Sequence, residues 1–265
     1  MRSSSRRGFL KIAGLAALGV GAGPAIKAFG VVGGHGAPEL ESRFEKGDIA
    51  LKAPQWAMVV DTRRIKSMAD IEPMVEACHG VHNVPDMPIE RHTIKWIWPE
   101  EFHNAFPGLR SQFVSEKVEH TPFPVLCNHC ENPPCVRACP TKATFKREED
   151  GIVMMDMHRC IGCRFCMAAC PFGARSFNFL NPEPYIENIN KEYPRRSKGV
   201  VEKCSFCAER LAVGKMPACV EASNGILKFG NLYDPESEVR KLIGEYYTIR
   251  RKTHLGTKPA IYYII

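Results

Sequence analysis

The chain has 265 residues, 45% of them hydrophobic and 25% charged, which is enough apolar material for one core or two small ones and too much for a disordered chain. Its formal net charge of +7 is local: Arg2, Arg6, Arg7, Lys11 and Lys27 precede residue 30 with no acidic residue among them, and without them 31 basic residues face 29 acidic ones. The remainder carries no basic excess, which argues against nucleic acid as a partner.

Residues 1–30 hold Arg6-Arg7, then Phe9-Leu10-Lys11, then a Gly- and Ala-rich apolar run. This is similar to a twin-arginine export signal and predicts a periplasmic protein on the outer face of the cytoplasmic membrane. A cytosolic tail with two adjacent arginines and a retained anchor helix are the other readings, and Ile26-Lys27-Ala28 is only a fair cleavage site. Past the leader no apolar run approaches the roughly 18–20 residues of a spanning helix, so the rest reads as soluble.

Residues 31–55 are rich in Gly, Pro and charge and read as a linker. The branched run "WAMVVD" (Trp56 to Asp61) predicts a strand, as do "TIKWIW" (Thr93 to Trp98) and, at the far end, "PAIYYI" (Pro259 to Ile264). Phe102, Phe106 and Phe113 read as core or as shielding. In "ATFKREEDGIVMMD" (Ala143 to Asp156) two apolar runs flank Asp150-Gly151, the mark of a hairpin. "ESEVRKLIGEYYTIRR" (Glu236 to Arg251) has helical spacing.

The twelve cysteines carry the chemistry. "CNHCENPPCVRACP" spaces Cys127, Cys130, Cys135 and Cys139 at x2, x4 and x3, and "CIGCRFCMAACP" spaces Cys160, Cys163, Cys166 and Cys170 at x2, x2 and x3. The second is the bacterial ferredoxin run with its closing Pro171: a tight loop wraps three thiolates around a cubane, and the fourth cysteine, expected to open a helix leading away, serves the other cluster. "KCSFC" adds Cys204 and Cys207, and "PACVEASNG" adds Cys219, with Ser223 where a fourth cysteine is due. A zinc-stapled structural module is the competing reading, because paired C-x2-C units also build tetrahedral sites. Disulfides would suit an exported protein, but export in the folded state with metal already bound argues against them.

The stretches "CNHCENPPC", "DGIVMMDMHRCIGCRFC", "KCSFC" and "GTKPAIYYI" resemble the four-motif ferredoxin-like electron-transfer subunits of membrane-bound respiratory oxidoreductases, from Trp56 to Ile265. That resemblance implies an α+β fold of two ferredoxin-like pseudo-repeats, a tandem 4Fe-4S ferredoxin fold with additional terminal strands. Residues 127–199 would form a two-cluster half; residues 56–126 and 200–265 would form a single-cluster half. It also implies crosswise ligation. One cluster would be held by Cys127, Cys130, Cys135 and Cys170; a second by Cys160, Cys163, Cys166 and Cys139; a third by Cys204, Cys207, Cys219 and Cys78. The four remaining positions of the pattern are Met68, Ile71, Met74 and Ser223, none of them a cysteine, so a fourth cluster is lost and three [4Fe-4S] clusters use all twelve thiols. Met68, Ile71 and Met74 would fill the vacated volume as core.

Cys78 reads alternatively as a buried free thiol, with Ser223 as the ligand in its place. His129, inside the first complete group, is expected to shield or hydrogen-bond rather than ligate, and His79 and His82 are read as bland. Arg137, Arg159 and Arg164 either are solvated or offset cluster charge, which would bring the mature protein to about −4. No nucleotide loop, nucleophile motif or open metal site is visible, so the chain reads as an electron-transfer subunit rather than an enzyme. Within the family it is similar to the outward-facing ferredoxin subunit of the sulfite-reduction-associated membrane complex. The partners so implied are a polytopic quinone-interacting membrane subunit and a multihaem cytochrome c, with membrane association through the complex and a retained leader as a further tether. An iron–sulfur subunit of another exported reductase or hydrogenase is the alternative.

Overall fold

The structure, a computed structural model, describes residues 49–109 and 111–265. The export signal over residues 1–30, with Arg6 and Arg7, and most of the 31–55 linker lie outside the described residues. Ala50 and Ala53, at the end of that stretch, are buried, and the Leu51 N–H donates to the Leu211 carbonyl at 2.9 Å, so this part packs on the fold.

Ten short strands are described: β1 Trp56–Asp61, β2 Ile97–Glu100, β3 Phe123–Leu126, β4 Thr144–Lys146, β5 Val153–Met155, β6 Ser176–Phe177, β7 Val201–Glu202, β8 Leu227–Asn231, β9 Thr248–Ile249 and β10 Ile261–Ile264. The two ends of the described chain meet in one sheet of order β8-β1-β10-β9, with β1 parallel to β10 (Met58 opposite Ile261) and antiparallel to β8 (Met58 opposite Phe229). The near-continuous apolar run of β1 follows from burial on both faces. Met58 and Val60 enter the main core, while Ala57 and Val59 face Val239 of the helix Glu238–Glu245. Three antiparallel ribbons, β2-β3, β4-β5 and β6-β7, complete a mixed helix and strand architecture.

Two readings shift. The helix expected over 236–251 stops at Glu245: Tyr246 is extended, and Thr248 and Ile249 form β9 against Ile264 and Tyr263. The exposed edge of β10 captures this β-branched pair, so a ladder overrides local helical spacing. The strand expected over 93–98 begins only at Ile97, because Ile94 and Trp96 are anchored in the core, the Trp96 indole donating to Glu202 at 3.2 Å. The 143–156 hairpin forms as β4-β5, with Gly151 at a φ of 72° in its turn.

Four short cysteine-bearing helices pack in two pairs: Pro134–Arg137 on Phe165–Ala168, and Glu72–Val81 on Ala218–Glu221. In the three groups with consecutive spacing it is the third cysteine (Cys135, Cys166, Cys219) that lies in the helix, and Cys139 and Cys170 follow the helix end. The expectation that the fourth cysteine opens a helix is therefore corrected. Pro140 and Pro171 stand immediately after these cysteines, where a proline ends rather than continues a helix.

Candidate metal centres

In each of the three groups the first C-x2-C pair is a turn of the same hand. The residue before the second cysteine has positive φ in all three: His129 at 39°, Gly162 at 70° and Phe206 at 54°. That left-handed residue turns backbone N–H groups toward the sulfurs, as in the Phe206 N–H to Cys204 Sγ contact at 3.4 Å. Gly162 has no freedom to be anything else, since a Cβ there would meet the Gly199 carbonyl oxygen at 2.5 Å. His129 and Phe206 instead tolerate the strained conformation because their rings stack on each other, centroids 3.6 Å apart.

Cys127, Cys130, Cys135 and Cys170 line one apolar cavity together with Phe172 and Arg175. Burial pushes the Cys130 thiol up to about 12, and the neighbouring thiols of Cys127, Cys135 and Cys170 act in the same direction. The C-terminal "GTKPA" segment closes this site, since Ala260 N–H donates to the Asn128 carbonyl at 2.8 Å, and Glu131 and Asn132 N–H donate to the Lys258 and Thr257 carbonyls. His129 is fully buried; its Nδ1 accepts the Val153 N–H at 3.1 Å, and burial holds its pKa well below the ordinary range, so the ring is neutral.

The second group is open to solvent. Cys163 is exposed, Cys160 and Cys139 are half-buried, and Ile161 and Phe165 beside them are 67% and 60% exposed. Cys166 is buried and senses the Cys160 thiol. Burial opposes the Cys139 thiolate, but the Thr144 N–H at 3.5 Å and further donors from Thr141 and Ala143 outweigh it and hold this thiol below its usual range. Arg164 covers the rings of Phe177 and Phe179, and Arg159 pairs with Asp156, while Arg137 is exposed.

The third group is sealed. Cys204, Cys207 and Cys219 are buried, and Cys78, far away in sequence, is 3% exposed and meets them. Burial pushes the Cys78 thiol far up, and the thiols of Cys219, Cys204 and Cys207 add to it. His82 fixes the chain after Cys78, its Nδ1 lying 2.7 Å from the Cys78 carbonyl and its Nε2 2.7 Å from a Glu209 carboxylate oxygen. His79 is pushed down to about 4 by burial and is neutral.

Of the four non-cysteine positions, Ile71 and Met74 are wholly buried, as core filling requires, but Met68 is 42% exposed at the start of a short turn and fills nothing. The reason is helix geometry: Met74 and Cys78 share the inward face of Glu72–Val81, whereas Met68 precedes that helix, where the chain is still at the surface. Ser223 is buried and spends its hydroxyl on backbone, donating to the Val220 carbonyl at 2.7 Å and accepting the Leu227 N–H at 3.1 Å.

Sequence reasoning missed several polar residues among the thiols. Arg175, Lys203 and Arg196 are buried cations, and only Arg196 meets a carboxylate, that of Glu202, among the described residues. Asn128 Nδ2 and Oδ1, His129 Nε2, Thr257 Oγ1 and Arg175 Nη2 are buried atoms that make no hydrogen bond of ordinary geometry within the protein. Of these, sequence analysis singled out only His129; Asn128 and Lys203 adjoin a cysteine, while Arg175, Arg196 and Thr257 carry no local mark.

None of the twelve cysteines is in a disulfide. Buried thiols with N–H groups aimed at sulfur, an apolar cavity and orphan donors around it form a donor set that fits a soft thiolate-bound centre. The comparisons select which. Residues 118–182 match a 4Fe-4S dicluster domain, covering both complete cysteine groups. The chain is 41% identical over 281 aligned positions to an Hdr-like menaquinol oxidoreductase iron-sulfur subunit of Archaeoglobus fulgidus, spanning 98% of this chain and 97% of that one. It is 33% identical to the iron-sulfur cluster-binding subunit of a menaquinone reductase of Nitratidesulfovibrio vulgaris over 79% of this chain and 88% of that one, and 37% identical to the NrfC protein of Escherichia coli over 71% and 72%. The first of these likenesses spans nearly the whole chain and so takes in all three cysteine groups and Cys78. The chain therefore belongs to the ferredoxin-like 4Fe-4S electron-transfer subunits of larger respiratory oxidoreductases.

Proposed function

We propose that the chain carries three [4Fe-4S] clusters and relays single electrons between a multihaem cytochrome c and a quinone-interacting membrane subunit on the periplasmic face of the membrane, in a complex associated with sulfite reduction. The ligand sets are Cys127, Cys130, Cys135 and Cys170; Cys160, Cys163, Cys166 and Cys139; and Cys204, Cys207, Cys219 and Cys78. The observation that carries the count is the meeting of Cys78 with Cys204, Cys207 and Cys219 in a sealed, all-thiol site, which leaves no cysteine over. Such clusters supply one-electron redox chemistry with no open coordination position. The protein's own part is to hold the thiols, exclude water from two groups and leave the Cys160 loop at the surface, where a partner can approach. The two packed helix pairs support the reading as two ferredoxin-like pseudo-repeats.

Quinone chemistry is supported by the names of two relatives, and the cytochrome and sulfite association rest on the family resemblance. Among the described residues no helix is long and apolar enough to cross a membrane, so the proposal assigns quinone contact to a partner. Purifying the intact complex and identifying its subunits tests this: a multihaem cytochrome is expected, and a large molybdopterin subunit instead would favour another exported reductase.

The cluster count is tested by anaerobic metal analysis, which is expected to find about twelve iron and twelve acid-labile sulfide per chain, at four of each per cubane. About eight iron with stoichiometric zinc would make the third site a zinc staple. Export is tested by cell fractionation of the Arg6→Lys, Arg7→Lys variant, expected to stay cytoplasmic with its clusters assembled; its normal export would rule out the twin-arginine route.

A further inference from the structure

Four cations lie inside the protein, and their partners differ in kind: Arg251 donates to the Ala105 carbonyl at 3.0 Å and covers the Phe172 ring, and the other three lie among the cysteine groups. Arg196 is fully buried, pairs with the equally buried Glu202 carboxylate and donates to the His82 carbonyl, so its charge is cancelled within the protein. Lys203 donates to two backbone carbonyls, those of Val153 and Cys204. Arg175 is 5% exposed, and Nη1 donates to the Thr144 hydroxyl at 3.0 Å with the Met155 sulfur at 3.9 Å, both neutral acceptors. Its other terminal nitrogen, Nη2, makes no hydrogen bond of ordinary geometry within the protein, and the guanidinium lies beside the Cys135 and Cys166 thiols. No carboxylate meets Arg175 or Lys203 among the described residues.

A buried guanidinium without a counter-charge is strongly disfavoured unless negative charge nearby compensates it. The surroundings of Arg175 identify that charge. It lines the cavity of Cys127, Cys130, Cys135 and Cys170, and the thiols it senses are Cys135, Cys166 and Cys127, which belong to two different ligand sets.

We infer that Arg175 is the shared internal counter-charge of the two clusters in the 127–199 half, a positioning residue whose Nη2 points its hydrogen bond at cluster or thiolate sulfur. This rests on the proposed ligand sets. Adding one electron to an all-cysteine cubane adds one negative charge to the interior, and a fixed buried cation stabilises that reduced form. Arg175 therefore raises the midpoint potentials of these two clusters, while the third has cations of its own: Arg196, neutralised by Glu202, and Lys203, whose ammonium bonds the Cys204 carbonyl.

The test is an EPR-monitored dithionite titration of the full, iron-loaded chain, comparing the natural protein with Arg175→Gln and Arg175→Lys. In Arg175→Gln two of the three midpoints are expected to move to more negative potential while the third stays, and in Arg175→Lys both are expected to recover most of that shift. Three unmoved midpoints with iron content unchanged would overturn the inference, as would an equal shift in the glutamine and lysine variants. If Arg175→Gln loses iron, a loaded Arg175→Lys with native midpoints upholds the inference. Loss of iron in both overturns it, since shape rather than charge would then be what the site needs. Failure of the ligand sets themselves would show separately, as a wrong iron count in the natural protein.

Discussion

The two helix pairs present one spacing with two outcomes. Four residues on from the cysteine of Pro134–Arg137 and of Phe165–Ala168, just past each helix, stands another thiol: Cys139 after Cys135 and Cys170 after Cys166. Along Glu72–Val81 the same spacing joins Met74 and Cys78, and from Ala218–Glu221 it runs from Cys219 to Ser223, so each pair holds one thiol and one other side chain. At one end Cys78 and Cys219 meet Cys204 and Cys207; at the other, Ile71 and Met74 are wholly buried and Ser223 turns its hydroxyl onto the chain. The second helix pair thus packs without a thiol at these positions, because Ile71 and Met74 fill core and Ser223 satisfies its hydroxyl on the chain.

The sharpest way to break this comparison is to remove a thiol from the retained end. Cys78→Ala should open one iron corner of the sealed site, lowering iron from about twelve to between about eight and eleven per chain and producing a three-iron EPR signal if the remnant survives. An intact third cluster would return Cys78 to the status of an ordinary buried thiol. At the withdrawn end the effect should be mechanical. Met74→Ala deletes a wholly buried side chain and should cost about 2–5 kcal/mol of stability by denaturant unfolding, with iron content unchanged. Loss of iron there would mean that Met74 supports a cluster rather than replacing one. The smallest effect is expected from Ser223→Ala, which leaves the Leu227 N–H without its acceptor and should cost about 1–3 kcal/mol while sparing all clusters. Loss of the third cluster in this variant would make Ser223 Oγ the fourth ligand.

Local sequence was informative wherever chemistry repeats at short range. The cysteine groups, the 143–156 hairpin and the apolar runs that became β1 and β10 are all written in spacing and composition, because a tight metal loop needs x2 spacing and a strand buried on both faces needs a continuous apolar run. The resemblance carried the further expectation that Cys78 belongs with residues beyond position 200, and the structure brings them together.

What stayed hidden depends on surroundings that no window of sequence contains. Met68, Ile71 and Met74 look alike as apolar residues, yet only the last two are inside, since the helix that buries them starts after Met68. Thr248 and Ile249 leave a helical pattern because β10 offers them a ladder. Arg175 reads in sequence as one more arginine, and Arg164, which was singled out, lies over the half-buried Phe177 and the exposed Phe179. Spacing by itself marked eleven of the twelve cysteines as candidate metal ligands. The tertiary structure alone decided which cations share the dry interior with those thiols, because burial and the absence of a carboxylate are properties of packing across the whole chain.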